Sequence, residues 1–383
     1  MKLGLLGDGQ LGWMLAEAAQ RLGIEVRLWS AAGTGTAVRL CPDHVVAPLD
    51  YAPAEAAGGP SAFDAFCSGL DVVTYELEHL SLGLVEALAK RVPVHPAPAV
   101  LALAQDRWLE KAALAAAGLE VAPHAPCADR KTLEEALRSV GYRALLKTRR
   151  DGYDGKGQWR LDSPEDFERL LGAEDAGHFR WPASGCVLER RLRFDRELSL
   201  VLTRDASGAF AAHPWTENRH EHGILYTSRA PVALPKAAAE ETEARLKDWL
   251  DSHRYVGTLA LECFEVDGRL VANEIAPRVH NSGHWTLDGA RTSQFENHIR
   301  AVCGLGLGSA EARGLAAMVN VVGVPANPEL LARIPGARLY DYAKAPRARR
   351  KLAHINLCAD ADAALTSALA ALEALVPPPE PAQ

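Results

Sequence analysis

The stretch KLGLLGDGQLGWMLAEAAQRLGIEVRLW (residues 2–29) indicates the fold class of the chain. An apolar run at Lys2–Gly7 predicts a strand, Gln10–Leu22 predicts a helix with one apolar face, and Glu25–Trp29 predicts a second strand. Strand, helix and strand in this order are typical of the opening βαβ unit of an α/β domain. We therefore expect the chain to begin with a Rossmann-like domain.

Further along the chain, the same alternation of strand and helix continues to about residue 100. Strand-like runs at Asp71–Tyr75 and Val92–His95 are separated by helical stretches, which favours a parallel sheet. Between about 104 and 305 helices mix with hairpin-like strands, as in an α+β region of two lobes. The strands predicted there are Ala144–Thr148, Cys186–Leu192, Glu197–Thr203, Leu259–Val266 and Leu270–Ile275.

The last part of the chain predicts a small third domain. It holds a strand-like Met318–Val322, a basic stretch Lys344–Lys351 and a final helix that ends near Leu375. Residues 377–383 are rich in proline and polar residues and predict a disordered tail. We place the domain boundaries at 1–103, 104–305 and 306–376, followed by the tail.

Composition and charge exclude several classes of function. The 383 residues, 48% of them hydrophobic, are enough for two or three packed domains. A net charge of −7 offers no basic face for nucleic acid. Seven scattered cysteines without a C-x-x-C pair predict reduced, mostly buried thiols and no zinc site. No apolar run reaches the roughly 18 residues that span a bilayer, and no secretion signal is evident, so we expect no membrane contact and a cytoplasmic location.

The segment Gly7–Gly12 matches G-x-G-x-x-G between a strand and a helix, where backbone N–H groups and the helix dipole favour a phosphate. A dinucleotide site also needs an acidic residue at the end of the second strand. That strand ends at Trp29-Ser30. A monophosphate site is therefore favoured over a dinucleotide-dependent dehydrogenase, and a purely structural strand-to-helix turn remains the alternative.

A second glycine-rich segment has the character of a nucleotide lid. Lys147 ends a predicted strand, and Asp151–Gln158 follows with three glycines and a second lysine. Glycines let backbone amides approach phosphates, and lysines supply positive charge. The sequence contains no G-x-x-x-x-G-K-[ST], so this segment is not a P-loop.

The hairpin Leu259–Ile275 carries Glu262 on one strand and Asn273-Glu274 on the other. Mg²⁺ that carries phosphates takes one or two carboxylates. A two-residue turn would pair Glu262 with Asn273 and turn Glu274 to the opposite face, whereas a three-residue loop would pair the two glutamates. We predict the odd loop or an equivalent bulge, with Glu262 and Glu274 as the metal ligands.

Two segments make the resemblance to a known family specific: Gly152–Gln158, and Asn273–Thr286 followed by Thr292–Phe295. Together they closely resemble the 5-(carboxyamino)imidazole ribonucleotide synthetases, which are ATP-grasp carboxylases. The match covers nearly the whole chain, through Gly7–Gly12, Thr74–Glu78, Gln105–Arg107, Glu197–Ser199, Arg350-Lys351 and His354. It implies a Rossmann-like N-terminal domain, a two-lobed ATP-grasp domain, a small C-terminal domain and a homodimer.

The resemblance also implies roles for individual residues. Those expected at ATP are Arg107, Lys147, Gly152, Tyr153, Asp154, Gly155, Lys156, Gly157, Gln158, Glu189, Arg190, Arg191, Leu192, Glu197, His220, Asn273 and Glu274. Those expected at aminoimidazole ribonucleotide are Glu76, Tyr153, Asp154, Lys156, Lys344, Arg350 and Lys351. Arg278, His280 and Asn281 are candidates to hold bicarbonate and the carboxyphosphate made from it. The chain departs from the family pattern at Trp13 and His79, and at Arg349 and Ala353 where glycines are usual.

The implied reaction uses ATP and Mg²⁺ to activate bicarbonate. Attack of bicarbonate on the γ-phosphate gives carboxyphosphate, with Lys147 among the catalytic groups, and the amine then captures the carboxyl group. Asp154 is the candidate to accept the amine proton. The alternatives are another ATP-grasp ligase or formyl-phosphate enzyme acting on a purine-pathway amine, and a nucleotide-binding regulator without turnover.

Overall fold

The computed structural model describes residues 1–50, 61–150, 152 and 157–381. In the first domain, strands and helices alternate as predicted. They are β1 (Lys2–Leu6), α1 (Gln10–Arg21), β2 (Glu25–Ser30), β3 (His44–Val46), α2 (Ala62–Cys67), β4 (Val72–Tyr75) and α3 (Leu82–Ala89). The strands pair in parallel in the order β3-β2-β1-β4. The predicted βαβ opening and parallel sheet are confirmed.

The prediction of a strand at Val92–His95 is wrong, because this segment does not form a regular strand. This segment makes one parallel bridge to β4, in which the Val73 N–H donates to Pro93 O at 2.8 Å and the His95 N–H donates to Val73 O at 2.9 Å. Pro93 and Pro96 lack the N–H group that a longer ladder needs. Apolar residues therefore meet the sheet here without extending it.

The middle region begins with two helices and a small lobe. Its elements are α4 (Pro98–Ala104), α5 (Arg107–Ala116), β5 (His124–Cys127), α6 (Arg130–Val140), β6 (Ala144–Thr148), β7 (Gln158–Leu161), α7 (Pro164–Asp175) and β8 (Cys186–Arg190). The strands form an antiparallel sheet in the order β5-β8-β6-β7. Leucines and phenylalanines of α6 and α7 pack with Leu146 and Leu188 in its core. The predicted strand Cys186–Leu192 ends two residues earlier, at Arg190.

The second lobe and the C-terminal region share one sheet. The lobe contains β9 (Arg196–Arg204), β10 (Phe210–Ala212), β11 (Thr216–Glu221), β12 (Ile224–Ala230), α8 (Lys236–Ser252), β13 (Gly257–Val266), β14 (Arg269–Ala276), α9 (Thr286–Gly289) and α10 (Gln294–Val302). The C-terminal elements are β15 (Leu315–Val322), α11 (Pro328–Leu331), β16 (Arg338–Asp341), β17 (Lys351–Ala359) and α12 (Asp362–Leu375). The strand order is β14-β13-β9-β11-β12-β15-β17-β16, with β10 pairing to β9.

The junction between β12 and β15 makes the C-terminal region an extension of the second lobe. These strands pair antiparallel, with Thr227 opposite Val319. Leu365 and Leu372 of α12 pack against Ile355 and Leu357 of β17 in a separate core. The three-part architecture is confirmed, but the third part adds strands to an existing sheet. The exact boundaries stay predictions, as does the disordered tail, whose residues 382 and 383 lie outside the described part.

The N-terminal domain packs directly on the second lobe. Met14 and Leu15 of α1 share a core with Phe295 and Ile299 of α10. This packing places the glycine-rich turn before α1 beside the loop that follows β14. All the cysteines are unpaired, and all except Cys358 are buried, as predicted. Across the described ranges, no helix has both the length and the apolar character needed to cross a membrane.

Candidate active site

The turn between β13 and β14 has two residues. Asp267 and Gly268 have φ values of 50° and 75°, and Val266 lies opposite Arg269. Positive φ at both central residues defines a type I′ turn, for which Asp-Gly is a favoured pair. Of the two routes that the sequence analysis allowed, the three-residue loop is therefore wrong.

A bulge restores the pairing of the two glutamates. The register shifts between Glu262 and Cys263, so that Cys263 lies opposite Ala272 while Glu262 lies opposite Glu274. Asn273 is the extra residue. The predicted bulge is thus confirmed, and directly opposite residues share one face of an antiparallel pair.

Helix α5 closes the open edge of the same hairpin. β14 is the edge strand of its sheet, so backbone groups on its outer side need other partners. The Lys111 ammonium donates to Asn273 O at 2.8 Å, and Glu110 accepts from the Ile275 N–H at 2.6 Å. These two contacts hold the backbone on both sides of Glu274.

Arg107 lies on the same face of α5, one turn before Glu110 and Lys111. Its guanidinium contacts the Glu274 carboxylate at 3.2 Å and donates to Gly152 O at 2.9 Å. Burial and then the charge of Glu274 raise the pKa of Glu110. The sequence analysis missed Glu110 and Lys111, although the spacing of Arg107, Glu110 and Lys111 puts three charges on one side of a helix.

Two buried lysines meet one buried carboxylate beside this edge. Glu189 on β8 accepts from Lys147 on β6 at 2.8 Å, and Lys111 lies 3.4 Å from the same oxygen, Oε2. Burial opposes ionisation of Glu189, but the two ammonium groups lower its pKa to about 2. Its other oxygen, Oε1, is buried and has no partner among the described protein groups. Glu189 thus fixes Lys147 and keeps one acceptor available.

Glu197 and His220 form a pair on neighbouring strands. Glu197 accepts from the His220 backbone N–H at 3.2 Å, and its carboxylate lies 2.8 Å from His220 Nδ1. Burial lowers the pKa of His220, but its hydrogen bond to Glu197, together with the charges of Glu262 and Glu197, outweighs burial, and the net shift is upward. The structure therefore brings together two residues that the sequence analysis assigned to the nucleotide.

The loop after β14 carries a fixed guanidinium. Nε and Nη2 of Arg278 bind both carboxylate oxygens of Glu78, and Nη1 donates to Val279 O at 2.9 Å. Burial opposes ionisation of Glu78, but Arg278 lowers its pKa to about 2. A guanidinium has five N–H donors, so Arg278 keeps donors for a further anion.

His280 and Asn281 follow in the same loop. His280 Nε2 lies 3.3 Å from a Glu262 oxygen. Burial and then the charge of Arg278 lower the pKa of His280 to about 3, so the ring is neutral near pH 7. Both side-chain polar atoms of Asn281 are buried without a hydrogen-bond partner among the described residues. An amide in that state has donor and acceptor capacity for a small ligand.

Two amides of the glycine-rich turn at the start of α1 already bind a protein carboxylate. The N–H groups of Gly9 and Gly12 donate to the two oxygens of Glu76. A Cβ at Gly9 would stand 2.9 Å from a Glu76 oxygen, so glycine is needed for this close approach. A protein carboxylate thus occupies two amides at the positive end of the helix, and a phosphate at the remaining amides of this turn stays a prediction.

The basic C-terminal stretch reaches the same turn. The Lys344 ammonium donates to Gln10 Oε1. Burial lowers the pKa of Lys344 to about 8, and Glu76 opposes that shift. Arg350 donates to Ala345 O at 3.2 Å within its own segment. The structure thus brings Glu76 and Lys344 together at the N-terminal domain.

One cavity of about 560 Å³ connects most of these groups, whereas Glu76, Gly157, Lys344 and Arg350 do not line it. The predicted residues that line it are Arg107, Lys147, Gly152, Gln158, Glu189, Arg190, Arg191, Leu192, Glu197, His220, Glu262, Asn273, Glu274, Arg278, His280, Asn281 and Lys351. Gln10 and Glu78 also line it, and Gln10 links it to Lys344. Tyr153, Asp154, Gly155 and Lys156 lie outside the described residues.

The opposed carboxylates suit a divalent cation that arrives with phosphates. Burial and then the like charge of Glu274 raise the pKa of Glu262, because both disfavour its ionised form. Within the described ranges, no group of three or more His, Cys, Asp or Glu side chains could hold a metal alone. Mg²⁺ on a nucleotide needs only one or two protein carboxylates, so Glu262 and Glu274 fit it.

Comparison with family models divides the chain into three matched segments. Residues 1–105 match the ribonucleotide synthetase preATP-grasp domain, 112–295 the ATP-grasp domain and 316–368 the phosphoribosylaminoimidazole carboxylase C-terminal domain. These assignments agree with the three-part architecture described above.

Full-length relatives show the same similarity. The chain is 41% identical over 380 residues to the N5-carboxyaminoimidazole ribonucleotide synthase of Pseudomonas aeruginosa, covering 98% of this chain and 99% of the relative. The crystal structure of the Thermus thermophilus synthetase superposes with a TM-score of 0.88 at 40% identity, over 98% of both chains. The Aspergillus clavatus enzyme in complex with ADP and 5-aminoimidazole ribonucleotide superposes with a TM-score of 0.84 at 26% identity, over 98% of this chain and 97% of that one.

Proposed function

Because the chain belongs to the N5-carboxyaminoimidazole ribonucleotide synthase family, we propose that it uses ATP and bicarbonate to carboxylate the amine of 5-aminoimidazole ribonucleotide in purine biosynthesis. One observation carries this proposal. A single cavity is lined by the candidate phosphate cations, by the opposed glutamates and by the loop 278–281. A nucleotide and a small anion can therefore meet in the same enclosed space.

The nucleotide lies, in this proposal, between the two lobes. Lys147 and Arg107 contact its phosphates, because both cations line the cavity and each is held by a carboxylate. Glu197 accepts from the ribose hydroxyls, with His220 beside it. Residues 189–192 contact the adenine, and the segment Gly152–Gln158, of which 153–156 lie outside the described part, closes over the phosphates.

Glu262 and Glu274 would hold Mg²⁺, together with the phosphates. When bound, the cation supplies charge neutralisation on the transferred phosphoryl group. Lys147 and Arg107 add to this stabilisation from the protein itself. Asn273, the extra residue of the bulge, lines the part of the cavity that we assign to the nucleotide.

The chemistry proceeds in two steps. A bicarbonate oxygen attacks the γ-phosphorus, the bond to the β-phosphate oxygen breaks, and ADP leaves. The amine nitrogen of the ribonucleotide then attacks the carboxyl carbon of carboxyphosphate, inorganic phosphate leaves, and the amine loses one proton to Asp154. Arg278, His280 and Asn281 orient the carbonate oxygens, since donors fixed before the reaction stabilise developing charge.

The ribonucleotide lies at the end of the cavity that is next to the N-terminal domain. We assign to it Glu76, Lys344 and Arg350, together with Lys351, which lines the cavity. Tyr153, Asp154 and Lys156 would approach from the lid. Lys344 supplies positive charge to the 5′-phosphate, because its ammonium is already held beside Gln10.

Release of ADP by the purified protein tests the proposal. We expect turnover only when bicarbonate and aminoimidazole ribonucleotide are both supplied with Mg²⁺ and ATP. Formate and other purine-pathway amines, offered in turn, test the formyl-phosphate and ligase alternatives. Lys147→Ala and Glu274→Ala should lose nucleotide binding, while Lys344→Ala should lose only the dependence on the ribonucleotide. Tight ATP binding without any turnover would overturn the proposal in favour of a regulator.

The family resemblance also supports a homodimer and a cytoplasmic location. Light scattering after size exclusion should give twice the mass of the chain. A mass equal to one chain would contradict the dimer. Fractionation of the source cells would check the location.

A further inference from the structure

A row of buried hydroxyl and amide groups leads away from the cavity behind His280. Ser228 Oγ donates to Asn218 Oδ1 at 2.7 Å, and Asn218 Nδ2 donates to Ser199 Oγ at 2.9 Å. Ser199 Oγ in turn donates to Ser282 Oγ at 2.8 Å. Ser199 and Ser282 are completely buried, and Asn218 and Ser228 are at most 6% exposed. Burying four polar side chains in one row is costly unless each bond is made.

The direction of these bonds determines what Ser282 can do. A serine hydroxyl has one hydrogen to donate. Because Ser282 Oγ accepts from Ser199, its own hydrogen is directed to His280 Nδ1, 2.9 Å away. The Ser282 backbone N–H also points at this nitrogen, at 3.3 Å. A backbone amide can only donate, so Nδ1 of His280 is an acceptor.

A neutral imidazole that accepts at Nδ1 carries its hydrogen on Nε2. His280 Nε2 faces the cavity, 3.3 Å from Glu262. The backbone of His280 is held as well, because its N–H donates to Gln294 Oε1 at 2.9 Å and its carbonyl accepts from Gln294 Nε2 at 2.6 Å. Contacts on the side of His280 away from the cavity thus determine both the position of the ring and the nitrogen that carries its proton.

We propose that Ser282, supported by Ser199 and Asn218, is a positioning residue that holds His280 as an Nε2–H donor toward the carbonate end of the cavity. The inference rests on the proposed function, which places bicarbonate beside this loop. In this arrangement His280 gives a hydrogen bond to a carbonate oxygen or to Glu262. It does not take the proton of the amine, because the nitrogen facing the cavity already bears one.

Nitrogen-15 NMR of the histidine rings tests the tautomer without any substrate. The chain has 13 histidines, and a His280→Asn variant identifies the signals of this ring. We expect the parent protein to show Nδ1 unprotonated and Nε2 protonated. Ser282→Ala keeps only the more distant backbone donor, at 3.3 Å, and should populate the Nδ1-protonated form in part. If Ser282→Ala does not fold, Ser199→Ala removes the support one bond further back and should cause a smaller change in the same direction. An Nδ1-protonated ring in the parent, or signals that Ser282→Ala leaves in place, would overturn the proposal.

Steady-state kinetics separates positioning from general damage. In Ser282→Ala we expect kcat/KM for bicarbonate to fall about tenfold, the effect of one hydrogen bond, while KM for ATP changes less than about twofold. Thr203→Val is the matched control. It removes another buried hydroxyl from β9, whose bond to Thr258 Oγ1 at 2.8 Å lies outside the row that ends at His280 Nδ1 and reaches His280 only through the backbone of Gln294, so both constants should stay unchanged.

A parallel loss for ATP and bicarbonate would indicate a merely structural role and overturn the proposal. If the parent shows no bicarbonate-dependent turnover at all, the proposed function fails, while the tautomer measurement still decides the positioning role of Ser282.

Discussion

Glu262 and Glu274 lie directly opposite each other on β13 and β14, at the wall of the cavity. Like charges opposite each other destabilise an antiparallel pair. A two-residue turn alone would have separated them, and the bulge at Asn273 brings them back together. The hairpin therefore contains an electrostatically unfavourable contact at the place where a phosphate-bound cation would bind.

Removal of one of these charges should lower activity without lowering stability. We expect Glu262→Gln to reduce Mg²⁺-dependent ADP formation by about 10²-fold, the usual effect of losing one electrostatic group at a reacting centre. The free energy of unfolding without ligand should stay within about 1 kcal/mol of the parent or rise, because repulsion is relieved. Glu265→Gln is the control, since Glu265 lies on the same strand and pairs with Arg196 at 2.6 Å. Equal loss of ADP formation in both variants would contradict this assignment.

Lys111, which the sequence analysis did not single out, should contribute strongly to stability. Lys111→Met leaves Asn273 O without its donor and takes one cation from Glu189, and losing one partner of a buried ion pair costs about 3 kcal/mol. Chemical denaturation of the variant measures this loss. Lys131 is exposed on α6, so Lys131→Met should change the free energy of unfolding by less than about 0.5 kcal/mol. A Lys111→Met variant as stable as that control would refute the structural role.

The affinity for the ribonucleotide should fall at alkaline pH. Burial lowers the pKa of Lys344 to about 8, so its charge is present below that pH and is lost as the pH rises through it. We expect KM for aminoimidazole ribonucleotide to increase about tenfold between pH 7 and pH 9, because one unit above a pKa leaves about a tenth of the cation. Lys344→Arg should remove most of this dependence, since arginine stays charged. A KM that rises equally in both proteins would show that another group titrates.

Glu78 should act through Arg278. Glu78→Gln leaves the Arg278 cation, whose side chain is 15% exposed, without a charged partner, and we expect a loss of about 2 kcal/mol in the free energy of unfolding and a higher KM for bicarbonate. Glu296→Gln removes a comparable contact, the 2.8 Å pair with Arg300 on α10, where less than about 1 kcal/mol should be lost. An unchanged KM for bicarbonate in Glu78→Gln would show that the position of Arg278 does not affect bicarbonate binding.

Local patterns in the sequence were sufficient for the elements that line the site. A short strand-like run predicted β6 at its observed bounds. The requirement that two carboxylates share a face predicted an odd loop or a bulge, and the hairpin of β13 and β14 has the bulge. Such features depend on neighbouring residues only. The resemblance to a family then named about half of the residues that line the cavity.

Contacts between distant segments could not be predicted in the same way. The pairing of β12 with β15 joins strands separated by about a hundred residues, and apolar alternation does not say which strands meet. Glu76 was assigned to a substrate, but its bonds to the glycine-rich turn depend on the packing of β4 beside β1. Arg349 has a φ of 61° where the family usually has glycine, so the backbone shape is kept without the residue that favours it.

The contact between Lys344 and Gln10 joins residues that are 334 positions apart. During synthesis, a ribosome must deliver almost the entire chain before this end of the cavity can exist. A nascent chain halted near residue 310 would already contain the residues assigned to ATP, yet it would have no complete pocket for the second substrate. The order of translation therefore keeps an unfinished molecule from performing the coupled reaction.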